Sequence, residues 1–448
     1  MSPELTADAV PIGGAATAEL APEVHDAFRG SSWGEHPVPG TLPDILHLIR
    51  RIEGGDDPAD AVDQLTLLER IRHAAGAAQL RVMLGLEATR RAEQGTPEDR
   101  TPAGLAAEVG LATRASAGSA SRRLGIARSL RHHLPRCGLL HAAGLIDEGT
   151  AAQVVTALAP LSRADRLRAD RELAAELPGL TWAQAGKRAR AIAYALDPQA
   201  AMRAAAKAAA DRYVSTRPAP DCMVQLTALL PVKEGVAVHA ALIRAADAPR
   251  GAEDQRTRAQ VMADTLVELV TGRSTDTIDV EVGLIMTDRT LLDGDDDAAT
   301  VPGYGPIPGP LARALVLGGQ TSEGEQAQGC HAASVWLRRL YADPETGELA
   351  SIDAKRRTFT GVVRRLVVWR DGTCRVPYCD APIRHIDHAE PYAEGGPTSA
   401  DNAVGMCEAH NYAMEAPGFA RHLDPDGALT VITPTGGRHT SPPRRATG

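Results

Sequence analysis

Cys374, Cys379, Cys407 and His410 constrain the folding of this 448-residue chain more than any other feature. Four residues separate the first two cysteines, and a Cys-x2-His pair follows after 27 more. Three soft thiolates and one imidazole suit a tetrahedral Zn²⁺ with no open position, so the expected ion is structural. It would join a loop to the start of a helix in a module too small to be held by apolar burial alone. The chain has six cysteines. The other three, Cys137, Cys222 and Cys330, are scattered singly. That spacing reads as metal binding in a reducing compartment and not as a disulfide framework.

A second set of polar residues is interleaved with the first. Ile383, His385 and Asp387 alternate toward the end of a short strand, and Gly395-Gly396-Pro397 allows a turn. Residues 403–406 can form a second strand and 408–414 a helix, with the metal drawing Asp387 toward Asn411. Phosphodiester hydrolysis needs a base for water, a cation for charge growing on phosphate, and an oriented leaving group. His388 can be the base, since imidazole titrates near neutral pH. Asp387 and Asn411 offer hard oxygen ligands suited to Mg²⁺ or Mn²⁺. The Asn402 amide can bond across the loop and hold His388. His385 reads as a structural or substrate-side residue.

Charge and composition bound the partners. A net charge of −9 argues against nucleic acid for the chain as a whole. Locally, however, Lys355, Arg356, Arg357, Arg364, Arg365, Arg370 and Arg375 form a basic run into the metal motif. DNA is therefore the expected partner of this region. No apolar run reaches bilayer length, so no membrane partner is expected. The first residues, MSPELTADAVPIGG, lack a basic and an apolar signal region, which makes the cytoplasm the expected location.

Residues 1–40 read as a poorly ordered leader. Residues 41–330 read as a mainly helical domain, 331–430 as the metal module with its basic lead-in helix, and 431–448 as a tail. Aromatics make up only 3% of the chain, which favours closely packed helices. Val62, Leu65, Leu68 and Ile71 share one helical face, as do Ala120, Leu124, Ala127, Leu130 and Leu134 up to Pro135. Thr150 with Gln153, and Thr181 with Gln184, fit capping boxes. Strands are expected at 224–230 and 278–284, with helices at 236–246, 258–270, 311–317 and 362–367. The fold class is thus α+β, a large helical domain followed by a small zinc-stapled ββα module.

Two resemblances join this reading. GLLHAAGLIDEGTAAQVVTAL at 138–158 and GYGPIPGPLAR at 303–313 resemble the actinobacterial helical domain of unknown function 222, over roughly residues 40–330. That domain carries no assigned chemistry and is expected to meet a protein partner or a second copy. CRVPYCDAPIRHIDHAEPYAEGGPTSADNAVGMCEAHNYAMEAPGF at 374–419 resembles the HNH, or ββα-metal, endonucleases. The resemblance implies that Asp387 and Asn411 hold the catalytic metal, His388 is the base and Asn402 orients its loop. Met414 departs from the family, which often has Lys there. The expected function is metal-dependent hydrolysis of DNA, and the alternative is a zinc-dependent DNA-binding module that does not cut.

Overall fold

The computed structural model describes residues 41–53, 57–248, 254–273, 284–287, 289–301, 304–317, 359 and 361–444. The expected leader, most of the strand at 278–284, and Lys355, Arg356 and Arg357 lie outside the described residues. The chain divides into two compact units. One holds the described residues up to Pro102 with Ser121–Ala205, the other Ala103–Ala120 with Ala206 onward.

The first unit is helical. After α1 (Thr41–Ile49), the long α2 (Pro58–Gln94) starts where the Asp57 side chain accepts from the Ala59 N–H, with Pro58 in the first turn. It ends where Gly95 takes a left-handed backbone. Next along the chain come α3 (Leu105–Thr113), which belongs to the second unit, α4 (Ala117–His132), whose first turn belongs there too, α5 (Pro135–Ala142), α6 (Glu148–Leu158) and α7 (Arg163–Leu173). The helices α8 (Trp182–Leu196) and α9 (Pro198–Ala210) follow. Leu124, Ala127, Leu130 and Leu134 are all buried, as their spacing predicts. Pro135 both follows the end of α4 and opens α5, because proline is tolerated in a first helical turn. Asp170 of α7 accepts from the Arg136 and Cys137 N–H groups there, at 2.8 and 2.9 Å. The capping box at Thr181 and Gln184 is present. The one expected at Thr150 and Gln153 is not: Asp147 caps α6 and accepts from the Thr150 N–H, so Thr150 lies inside the first turn.

The second unit begins with α3 (Leu105–Thr113) and continues with the antiparallel hairpin β1 (Tyr213–Ala219) and β2 (Met223–Leu229). The sequence reading missed β1 and found β2. The helices α10 (Val232–Ala246) and α11 (Arg258–Thr271) pack on each other. The short pair β3 (Ala299–Val301) and β4 (Gly305–Ile307) leads into α12 (Gly309–Leu317). Next come α13 (Gly361–Asp371), β5 (His385–His388), β6 (Ala403–Met406) and α14 (Glu408–Met414), which realise the expected strand–loop–strand–helix order. The strands pair antiparallel, with Asp387 opposite Val404.

A three-stranded antiparallel sheet completes the unit: β7 (Ala420–Leu423), β8 (Leu429–Ile432) and β9 (Arg438–Ser441). Leu429 and Val431 are buried in the same apolar cluster as Cys374, Val376, Met406, Cys407 and Leu111 of α3. Residues expected as a tail after 430 therefore include half of β8 and all of β9. The alternation of Leu429, Val431 and Thr433 is too short to register as a strand without its partners.

Candidate metal centre and its surroundings

The hairpin β5–β6 and the N-terminus of α14 bring the four spaced ligands together. Cys374 and Cys379 flank a tight turn before β5, Cys407 caps α14, and His410 lies one turn into that helix. All four are buried, and their ligand atoms lie within 4.8 Å of one another. The His410 Nδ1 is 3.4 Å from the sulfurs of both Cys374 and Cys407, and the sulfurs of Cys379 and Cys407 are 3.9 Å apart. With Zn–S near 2.3 Å and Zn–N near 2.05 Å, a tetrahedral ion separates two sulfurs by about 3.8 Å and sulfur from nitrogen by about 3.6 Å. The donor set therefore fits zinc in chemistry and in size.

The charges of the cluster agree with that fit. Cys374, sharing hydrogens with Cys379 and then Cys407, is pushed far above the usual thiol range. Cys407, receiving from Cys374 and Cys379, is driven far below it. Burial pulls the His410 imidazole down, but its hydrogen bonds to the Cys379 and Cys407 sulfurs overcome that and hold it up at about 9. A divalent cation replaces the protons that such a cluster otherwise shares.

Asp387 and His388 end β5. The Asp387 Oδ1 accepts from the His388 N–H at 2.9 Å, and Oδ2 from Arg421 Nη2 at 2.7 Å. Arg421, on β7, also donates to the carbonyls of His388 and Ala389. His388 is 6% exposed, with its Nε2 2.8 Å from the Thr398 hydroxyl. Phe359 and Tyr392 lie against it, with ring centroids at 4.5 and 5.7 Å. Asn402 braces the loop, as its amide chemistry predicts. Its Nδ2 donates to the carbonyls of Glu390 and Pro397, and its Oδ1 accepts from the Glu390 N–H. Gly396 sits inside that brace, where a Cβ would come within 2.0 Å of the Glu390 carbonyl. Asn411 stands on α14, which packs against β5, and its neighbour Tyr412 places its ring 5.9 Å from His385.

The basic run splits in two. Arg364 and Arg365 are exposed on α13. Arg370 and Arg375 are not free for phosphate. Arg370 donates to Asp371 and to the carbonyls of Ala400 and Ala403, and Arg375 to Asp371 and to the carbonyls of Gly427 and Pro442. The reason is the buried Asp371 carboxylate, which also accepts from the Gly405 N–H at 2.8 Å and draws both guanidinium groups inward. Sequence reasoning missed Asp371, Thr398 and Arg421. The only available signal was Asp371 adjacent to Arg370 and one helical turn before Arg375. Met414 is partly buried against the cluster containing Cys374 and Leu111.

Residues 66–283 match the family model described as Domain of unknown function (DUF222). A 149-residue stretch, 33% of this chain, is 30% identical to Uncharacterized protein Rv3776 of Mycobacterium tuberculosis. The match spans 25% of that protein's length. No solved structure matches the chain. The protein thus combines a helical region similar to DUF222 with a C-terminal Cys3His cluster consistent with a small zinc-binding ββα-like module. No helix among the described residues is long and apolar enough to cross a membrane.

Proposed function

We propose that the C-terminal module is an HNH-type endonuclease that hydrolyses DNA phosphodiester bonds with a divalent metal. The observation that carries this reading is the Asp387–His388 pair at the end of β5, beside a Cys3His cluster that fits zinc. Bound Mg²⁺ or Mn²⁺ would supply electrophilic stabilisation of charge on phosphate oxygens. Asp387 and Asn411 would hold it. Each Asp387 oxygen carries one hydrogen bond in the links just described, which leaves acceptor capacity for a hard cation. His388 takes the proton of the attacking water, Thr398 fixes its ring, and Asn402 keeps the intervening loop closed. Arg421 aims the Asp387 carboxylate. Arg364 and Arg365 attract the DNA backbone from α13.

One observation favours a second reading, a zinc-stapled module that binds DNA without cutting it. The His388 ring is covered by Phe359 and Tyr392, and Arg421 already neutralises Asp387. Incubation of supercoiled plasmid with purified protein and Mg²⁺ or Mn²⁺ separates the two. The nuclease reading expects nicked and linear products that EDTA abolishes. Retarded but uncut plasmid with every divalent ion tried would establish the second reading.

A further inference from the structure

A cleft of about 680 Å³ opens on the second unit, beside the turn that carries Cys379. Its walls come from the loop after α3, the residues just before Cys379 and the segment after β9. Arg114, Tyr378 and Arg444, all exposed, face it with Asp380. Arg375 also lines it, but its guanidinium is engaged within the module. Two exposed guanidinium groups against one carboxylate leave the cleft positive in a chain that is negative overall.

Backbone strain singles out the same place. Among the described residues, four that are not glycine have a left-handed backbone, and two of them, Arg114 (φ 53°) and Tyr378 (φ 63°), line this cleft. Glycine would occupy either position without strain, and an aromatic side chain there is unusual. The two strained residues meet: the Arg114 guanidinium carbon is 5.9 Å from the Tyr378 ring centroid. His439 touches the ring only in an edge contact at 6.3 Å, and Tyr378 remains 45% exposed. An exposed aromatic face with cations beside it, in a cleft large enough for a nucleotide, is the arrangement that stacks a base and holds its phosphate.

We propose that this cleft is a subsite for an unpaired nucleobase of single-stranded DNA, which stacks on Tyr378 while Arg114 and Arg444 take the adjoining phosphate. A base inside a duplex is already stacked on both faces, so the subsite selects single strands, frayed ends or flaps. The proposal shares the nucleic-acid reading above but does not require cleavage.

The test is fluorescence anisotropy of zinc-loaded, full-length protein with a labelled short oligothymidylate and a duplex of equal length, without added divalent ion. Tyr378→Gly removes the ring and relieves the backbone, so its zinc content should equal that of the wild type. Its single-strand affinity should fall roughly 5- to 150-fold, with duplex affinity changed less than about two-fold. Tyr378→Phe should bind as the wild type does. Arg114→Gln should weaken single-strand binding and flatten its salt dependence. The proposal is overturned if zinc-replete Tyr378→Gly binds the single strand as tightly as the wild type, if it loses both affinities equally, or if the wild type does not bind the single strand. Plasmid cleavage alongside an unchanged single-strand affinity would remove this subsite and leave the nuclease reading standing.

Discussion

Replacing Asp371 with alanine should cost the metal module more than any surface change. The Asp371 side chain has no exposure, and its two oxygens accept from Arg370, Arg375 and the Gly405 N–H. Arg375 keeps only 4% side-chain exposure. Burial pulls its guanidinium below the usual range, and the Asp371 charge opposes that pull. Alanine would leave a buried amide unpaired and take the Asp371 charge away from both guanidinium groups. Breaking a buried pair from one side costs about 3–5 kcal/mol. With a slope of about 2 kcal/mol per molar urea, the unfolding midpoint falls by about 1.5–2.5 M. Zinc release, followed with a chromophoric chelator during urea unfolding, reports this module alone. Asp371→Asn keeps an acceptor for Gly405 and should fall between the two. A shift below about 0.5 M for Asp371→Ala, near 1 kcal/mol at that slope, would refute the reasoning.

Freshly purified protein should hold about one tightly bound zinc per chain, the capacity of one four-ligand structural site. Cys379→Ser should lose it while the helical unit stays folded, and elemental analysis with circular dichroism checks both. Arg421→Met removes three hydrogen bonds at the end of β5 and should destabilise the module by about 1–3 kcal/mol, read by the same zinc-release assay. His141 gives a pH prediction for the helical unit. Burial holds its imidazole at about 4, below the ordinary 6.5, and neither ring nitrogen has a hydrogen-bond partner among the described residues. The unfolded chain therefore takes the proton first, so stability is full above pH 6.5 and falls by up to ~3 kcal/mol as pH drops toward 4. Burial raises the Asp170 carboxyl to about 6, and its contribution runs the opposite way over much of that window. The informative quantity is thus the difference between wild type and His141→Leu in melts at neutral and acid pH. Equal pH slopes would contradict the assignment.

The metal site was legible because its information is local. Ligand type and spacing along Cys374, Cys379, Cys407 and His410 state the geometry almost completely, and a four-residue strand ending in Asp387-His388 follows from alternation. The Thr181 capping box was legible for the same reason. Residues whose roles depend on distant partners were not. Arg421 reaches Asp387 across 34 positions and Thr398 reaches His388 across 10. Arg370 and Arg375 looked like a phosphate-binding surface because charge in a sequence carries no record of burial. What turned them inward is one carboxylate, Asp371, together with backbone carbonyls that no residue pattern announces. The three C-terminal strands are short and polar on alternate positions, so only their mutual pairing and the burial of Leu429 and Val431 define them.

Cleavage and DNA binding, measured on the same zinc-replete preparations of wild type and His388→Ala, test the central claim most directly. A positioned imidazole that accepts the proton of water contributes roughly 10²–10⁴-fold. The variant should lose that factor in the rate of plasmid nicking with Mg²⁺ or Mn²⁺ while binding DNA as the wild type does. Nicking by His388→Ala at the wild-type rate would contradict the assignment of His388 as the base and, with it, the proposed mechanism.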